Sequence, residues 1–121
     1  MNKPECKIYT SGNKFWVLNG KLHREDINPE TGLTMPAVEY TNGTKEWYIN
    51  DKLHREGGPA IEYSNGSKEW YLNGNLHRKD GPAVEFADGR TYYYINGNYI
   101  PQLDNKRIYG KEKLAIALLL M

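Results

Sequence analysis

The chain has 121 residues, of which 16 are basic and 15 acidic, so its formal net charge is +1 at pH 7. This length predicts one domain with a modest core, and the near-neutral charge argues against attraction to a long nucleic acid. The single cysteine, Cys6, excludes a disulfide framework and a cysteine-based zinc site, and no apolar run approaches the ~20 residues that span a bilayer.

The N-terminal segment is too polar for a signal peptide, since residues 1–4 read MNKP. The lone cysteine also fits a reducing compartment. We therefore expect a cytoplasmic protein that does not bind a membrane.

A repeated segment organises the rest of the chain. Residues 69–83 read EWYLNGNLHRKDGPA, and residues 46–60, 23 positions earlier, read EWYINDKLHREGGPA. A third copy, FWVLNGKLHRED, covers residues 15–26, and a divergent fourth, YYINGNYIP, covers residues 93–101. Because one such unit cannot bury its apolar face alone, the units must stack on one another.

Alignment of these copies predicts a single repeat domain over residues 1–121. It consists of four units and a C-terminal cap, at about residues 9–39, 40–62, 63–85, 86–108 and 109–121. The first unit is longer than the others because residues 25–36 (EDINPETGLTMP) contain an insertion. We expect this insertion to form a loop at one edge of the stack.

Each unit carries two turn signals between short β-prone runs. An Asn-Gly or Asp-Gly pair supplies the positive φ angles of a type I′ turn, so each pair predicts a tight β-hairpin. The pairs are Asn42–Gly43, Asn65–Gly66, Asn73–Gly74, Asp88–Gly89 and Asn96–Gly97. The sequence therefore predicts an all-β fold, in which tandem 23-residue β-hairpin repeats form an elongated meander sheet.

Alternation along the strands assigns their faces. Lys68, Trp70 and Leu72 share one face of the third unit, and Glu69 and Tyr71 share the other. We expect Trp70 and Leu72 to face the core and Glu69 and Tyr71 to face outward.

The C-terminal segment has a different character. Residues 111–121 read KEKLAIALLLM, which is rich in strong helix formers and free of turn residues. We expect a short helix that covers the open end of the stack. Residues 114–121 are all apolar, more than one covered edge needs, and this predicts a homo-oligomer that associates through the segment.

All three histidines precede an arginine at the same repeat position, and tyrosines follow two of the tryptophans. In a structural interpretation, each arginine pairs with a glutamate of a neighbouring unit and each histidine donates to a turn carbonyl. In a binding interpretation, a row of cationic groups beside aromatic rings holds a small anionic nucleotide. The candidate ligand-binding residues are His23, Arg24, His54, Arg55, His77, Arg78, Tyr48 and Tyr71.

The sequence argues against a metal site, a cofactor and catalysis. Equivalent histidines of a meander lie at least two strands apart, roughly 9.5 Å at about 4.8 Å per strand, too far to share one zinc ion. The chain has no Gly-x-Ser-x-Gly motif, and Cys6 lies outside the repeats, where a nucleophile lacks a built environment. We expect a binding protein that is not an enzyme, with no catalytic residues, no metal and no cofactor.

The 23-residue period and the Tyr/Trp-x-x-Asn-Gly spacing, with a second glycine turn per unit, resemble MORN-type repeats in a variant form. The string Trp-Tyr-x-Asn-Gly-x-Leu-His-Arg-x-Asp-Gly-Pro-Ala resembles a sub-type found in small proteins of bacteriophages and large DNA viruses. This resemblance covers residues 9–99 and implies a scaffold for proteins or lipid surfaces. The glycine that usually follows the MORN tyrosine is absent, and the Leu-His-Arg and Gly-Pro-Ala segments are additional.

Two functions follow as hypotheses. The first is capture of a small anionic nucleotide, with Arg24, Arg55 and Arg78 on phosphates; in a viral protein acting in the host cytoplasm, the ligand would be an immune signal such as a cyclic dinucleotide. The second is a protein-interaction module, such as an inhibitor or antitoxin-like binder, whose repeat face binds a host protein. Acidic residues in register with the arginines would favour the second hypothesis.

Overall fold

The structure, a computed structural model, describes residues 3–121; the first two residues of the polar N-terminal segment lie outside this range. The predicted fold is confirmed, since short β-hairpins form an antiparallel meander that ends in one short helix. The strands are β1 (Glu5–Ile8), β2 (Lys14–Leu18), β3 (Lys21–Leu22), β4 (Val38–Glu39), β5 (Lys45–Glu46), β6 (Tyr48–Ile49), β7 (Lys52–Leu53), β8 (Ile61–Glu62), β9 (Lys68–Glu69), β10 (Tyr71–Leu72), β11 (Asn75–Leu76), β12 (Val84–Glu85), β13 (Thr91–Tyr92), β14 (Tyr94–Ile95) and β15 (Asn98–Tyr99). A 3-10 turn (Pro101–Leu103) and helix α1 (Lys111–Leu119) complete the chain.

The main sheet runs through all four units. Its strand order is β1-β2-β4-β5-β8-β9-β12-β13, with β3 paired to β2. The register repeats from unit to unit: Lys45 lies opposite Glu39 and Glu62, and Glu46 lies opposite Val38 and Ile61. Because opposite residues share a face, the lysine and glutamate pairs line one side and the Glu46 row lines the other.

A second ladder of hairpins runs beside the main sheet. The hairpins β6–β7, β10–β11 and β14–β15 each pair only internally as strands, but backbone hydrogen bonds join them in sequence. Between the second and third units, Arg55 N–H donates to the Tyr71 carbonyl at 3.2 Å, and Gly74 N–H donates to the Leu53 carbonyl at 2.8 Å. Equivalent bonds join the other units, so successive units are held together both by the main sheet and by this ladder of hairpins.

The tryptophans of the second and third units connect the two ladders. The Trp47 N–H donates to the Ala60 carbonyl of the main sheet at 2.8 Å, and its carbonyl accepts from His54 N–H of its own hairpin at 3.0 Å. Trp70 makes the same two bonds with Ala83 and His77. The repeated tryptophan therefore sits where the chain leaves one ladder for the other.

The two turns of each unit belong to different types. Asn73 and Gly74 have φ angles of 49° and 81°, as a type I′ turn requires, and this prediction is confirmed. In the other turn only Gly66 has a positive φ, 94°, and Tyr63 N–H donates to the Ser67 carbonyl across a three-residue loop. The type I′ prediction for Asn42–Gly43, Asn65–Gly66 and Asp88–Gly89 is wrong, because the extra residue makes a type I turn followed by a left-handed glycine.

Buried and half-buried side chains occur on both faces of the sheet. The valine and isoleucine column lies on the same face as Glu46 and Glu69, and it is almost fully buried: Val38, Ile61 and Val84. Trp47 is also buried, whereas Trp70, Leu72, Glu69 and Tyr71 are all half-buried. The expected contrast between a core tryptophan face and an outward tyrosine face is therefore wrong, since Trp70 and Tyr71 are buried to a similar degree and the buried aliphatic column lies on the glutamate face.

The C-terminal helix closes the stack as predicted. Leu114 of α1 packs with Tyr93, which replaces tryptophan in the fourth unit, and with Leu103 of the 3-10 turn. All three side chains are at most 4% exposed. The last residues of the C-terminal segment are not covered by the rest of the protein, because Leu119 and Leu120 are more than 80% exposed. Within residues 3–121, no helix has the length and apolarity needed to cross a membrane.

Candidate functional site

The three predicted arginines stack on the three tryptophans. Each guanidinium lies over the ring of its own unit, a favourable cation–π arrangement. The pairs are Arg24 on Trp16, Arg55 on Trp47 and Arg78 on Trp70, with 3.8, 3.9 and 3.9 Å from the guanidinium carbon to the ring centroid.

The edge of each guanidinium is bonded inside the same unit. Nη1 donates to a proline carbonyl at 3.0–3.1 Å and lies 3.1–3.5 Å from a glutamate carboxylate. The partners are Pro36 and Glu39 for Arg24, Pro59 and Glu62 for Arg55, and Pro82 and Glu85 for Arg78. The glutamates belong to the same repeat unit as their arginine, whereas the structural interpretation placed them in a neighbouring one.

The histidines link each unit to the next. Nδ1 of His23, His54 and His77 accepts the turn N–H of Asn50, Asn73 and Asn96, at 3.1, 2.9 and 2.8 Å. Accepting at Nδ1 requires the neutral ring with its proton on Nε2. The direction of this bond is opposite to the expected donation to a turn carbonyl. Burial, with a smaller contribution from Lys79, lowers the pKa of His77.

The backbone carbonyls of Tyr48 and Tyr71 accept from Arg24 N–H and Arg55 N–H, but their side chains bond on the other face of the sheet. Their hydroxyls donate to Glu46 and Glu69 at 2.9 and 2.8 Å, on the face opposite the Arg–Glu pairs. Burial and the neighbouring carboxylates raise the pKa of both tyrosines, so their hydroxyls remain donors. The structure therefore brings each His and Arg together with a tryptophan, and it does not bring the side chains of the two predicted tyrosines to them.

Aromatic rings continue on both sides of these tyrosines. Tyr63 donates to Glu69 at 2.8 Å, and burial and this bond raise the pKa of Tyr63 to about 12. Rings contact one another at the ends of the row, with centroids 5.0 Å apart for Tyr9 and Phe15 and 5.8 Å apart for Phe86 and Tyr92. We call this surface the aromatic face: Tyr9, Phe15, Tyr40, Glu46, Tyr48, Tyr63, Glu69, Tyr71, Phe86, Tyr92, Tyr94 and Tyr99.

Most of the aromatic face was not among the residues singled out from the sequence. The signal was present, because Phe15, Glu46, Glu69 and Tyr92 share one repeat position and alternate with the tryptophan row. Positions that hold the same residue in successive units are easy to recognise in the sequence. The position of Phe15, Glu46, Glu69 and Tyr92 is harder to recognise, because it holds an aromatic residue in two units and an acidic residue in the other two.

The arginine side of the molecule carries an open cleft. Its volume is about 420 Å³, and its walls include Arg55, Trp70, His77, Arg78, Lys79 and Lys111. Among residues 3–121, no three His, Cys, Asp or Glu side chains converge on a position that suits a metal ion.

Comparisons with protein-family models, with curated proteins and with solved structures found no match to this chain. The resemblance to MORN-type repeats stays a prediction that rests on the motifs themselves.

Proposed function

We propose that this protein is a non-enzymatic interaction module whose aromatic face binds a partner protein. The observation that carries the proposal is the contrast between the two sides of the sheet. The three arginines are at most 15% exposed and hold internal partners, whereas the aromatic face presents a row of half-exposed rings. Acidic residues in register with the arginines are the feature that favours an interaction module over a nucleotide site.

The composition of the aromatic face suits a protein interface. Tyrosine supplies a large contact area with few rotatable bonds, and it is enriched among the residues that dominate binding energy. The hydroxyls of Tyr48, Tyr63 and Tyr71 are already held by carboxylates, so little side-chain freedom is lost when a partner binds.

The charges of the aromatic face indicate the chemistry of the partner. Glu46 and Glu69 are the charged residues of its two central units, and both are acidic, whereas Arg90 lies over the Phe86 ring in the fourth unit. An arginine or lysine of a partner can stack on a tyrosine ring and pair with the adjacent carboxylate. We therefore expect a partner surface with basic side chains spaced to match the two central units.

The test compares two surfaces of the same protein. Tyr63→Ser with Phe86→Ser removes exposed rings from the aromatic face, and Lys45→Ser with Lys68→Ser removes exposed side chains from the opposite face. Each immobilised variant is used to capture partners, which are identified by mass spectrometry and confirmed with purified components. The proposal predicts a partner that binds the wild type and the lysine variant but not the aromatic variant. A purified partner that the lysine variant loses, and the aromatic variant keeps, would contradict it.

A second candidate function is capture of a small anionic nucleotide in the cleft of about 420 Å³. The observation that favours it is the addition of Lys79 and Lys111 to the cleft wall beside Trp70. Because Arg55 and Arg78 are bonded internally, the lysines are the groups that would reach phosphate. In a viral protein of the kind that the motifs resemble, such a ligand would be a host signal such as a cyclic dinucleotide.

Thermal denaturation tests the nucleotide candidate. A ligand present at 100 times its dissociation constant stabilises the folded state by about 2.7 kcal/mol. Cyclic dinucleotides should therefore raise the melting temperature of the wild type, and Lys79→Ala with Lys111→Ala should abolish the increase. Unchanged melting at millimolar nucleotide would eliminate this candidate and leave the interaction module unaffected.

A further inference from the structure

The three Arg–Trp stacks differ in one hydrogen bond. Arg24 Nε donates to Asp26 at 3.1 Å, and Arg78 Nε donates to Asp80 at 2.8 Å. The equivalent position of the second unit is Gly57, which has no carboxylate. Within residues 3–121, no group accepts a hydrogen bond from Arg55 Nε.

Arg55 is nevertheless as deeply buried as its counterparts, with 9% of its side chain exposed. Its guanidinium lies between the Trp47 ring and the backbone of Gly58, where an added Cβ would come within 2.9 Å of Nη1. Burial lowers the pKa of Arg55 although Glu62 opposes the shift. A buried charged donor without an acceptor is rare in folded proteins, and it indicates a function or a missing partner.

The space beside this donor is bordered by the insertion of the first unit. An ideal Cβ at Gly57 would lie 2.9 Å from Cδ2 of Leu33, so the Leu33 side chain stands where an aspartate would begin. Arg55, Leu33 and His54 also line a cleft of about 400 Å³ that opens to solvent, and two of its other lining residues, Glu25 and Glu56, are acidic. A small group entering from this cleft reaches the arginine if the flexible end of Leu33 rotates away.

We propose that Arg55 Nε, with the groove between Gly57 and Leu33, is a binding site for a carboxylate group. The chain itself shows the complementary group twice, because Asp26 and Asp80 supply a carboxylate to the same atom of the equivalent arginine. A carboxylate bound here gives Arg55 two carboxylate partners, the number that Arg24 and Arg78 already have. A dianionic phosphate would add a further negative charge beside Glu62.

This site lies on the arginine side of the sheet, opposite the aromatic face, and does not depend on the proposed interaction module. The carboxylate has two sources that share this chemistry, a free small carboxylate and an acidic side chain of a peptide. The experiment therefore has one arm for each source.

The measurement follows the arginine Nε–H resonances of the ¹⁵N-labelled full chain by NMR. Sodium acetate is titrated against sodium chloride at equal ionic strength. Arg55 is expected to shift saturably with acetate, while Arg24 and Arg78 keep their positions because their Nε–H groups are already bonded. Leu33→Ala should tighten acetate binding several-fold by opening the groove, and Asp80→Ala should make Arg78 respond as Arg55 does.

A capped tripeptide with a central glutamate is the second arm, and its glutamine counterpart is the control. Tighter binding of the glutamate peptide than of acetate identifies an acidic side chain as the source, and weaker binding identifies a free carboxylate. An Arg55 resonance that does not move with acetate in the wild type or in Leu33→Ala would overturn the proposal. Equal shifts of all three arginines would also overturn it, because they would reflect a general effect of salt.

Discussion

Truncation of Arg78 to alanine tests whether the repeated arginines are structural. Four contacts are lost together: the stack on Trp70 at 3.9 Å, the bonds from Nη1 to the Pro82 carbonyl at 3.1 Å and to Glu85 at 3.4 Å, and the bond from Nε to Asp80 at 2.8 Å. Pro82 is fully buried, so its carbonyl would lose its arginine donor with no ready replacement.

The magnitude follows from these contacts. A hydrogen bond from a charged donor contributes about 1.5–3 kcal/mol, and a cation–π contact contributes about 0.5–2 kcal/mol. The Asp80 carboxylate is more than half exposed, so that ion pair adds at most about 1 kcal/mol. We expect Arg78→Ala to lower the free energy of unfolding by about 3–4 kcal/mol, which corresponds to roughly 10–16 °C in melting temperature for a chain of this size.

Arg90 is the matched control for this measurement. It also lies over an aromatic ring, with 4.5 Å to the centroid of Phe86, and it also bonds to an aspartate, Asp88 at 2.8 Å. Arg90 differs from Arg78 in being exposed, so Arg90→Ala should have the same melting temperature as the wild type. Calorimetry and urea denaturation of the two variants give the comparison. Equal melting of Arg78→Ala, Arg90→Ala and the wild type would refute the structural assignment of the repeated arginines.

Three further predictions concern other parts of the chain. Because burial lowers the pKa of His77 in the folded protein, stability should be complete above the unfolded pKa of about 6.5 and decrease as the pH falls below it towards the lower folded pKa. His77→Asn, which keeps an acceptor for Asn96 N–H, should weaken this dependence. Gly66→Val forces a β-branched residue to a φ of 94° and should cost more than about 1 kcal/mol in a denaturant titration. Deletion of residues 119–121 should convert a sedimenting oligomer to a monomer, because these exposed apolar residues are the proposed contact.

Each of these predictions has an outcome that contradicts it. A denaturation midpoint that does not change between pH 7 and pH 5 would contradict the role of His77 as an acceptor. Unchanged stability of Gly66→Val would contradict the left-handed turn assignment. A wild-type chain that sediments as a monomer at micromolar concentration would rule out self-association through the C-terminal segment.

Most of the architecture could be predicted because its determinants are local in the sequence. Asn73–Gly74 specifies a two-residue turn by its own conformational preference, and the recurrence of the tryptophan specifies the unit. The three-residue turn at Gly66 was assigned to the wrong type, since its length depends on which backbone groups of Tyr63 and Ser67 pair across it. The candidate histidines and arginines can be recognised in the sequence because they recur in three units. Tyr48 and Tyr71 follow tryptophans in the sequence, but this adjacency does not bring their side chains to the arginines.

The sequence by itself determined the repeat period, the all-β class and the helical end, because these depend on contacts within a unit or on intrinsic propensity. Only the tertiary structure decided which groups meet across units. It placed the hydroxyls of Tyr48 and Tyr71 on Glu46 and Glu69, made His77 an acceptor, and set Leu33 of the insertion beside Gly57. Such contacts join residues tens of positions apart, and the side of a strand that becomes buried depends on what packs against it.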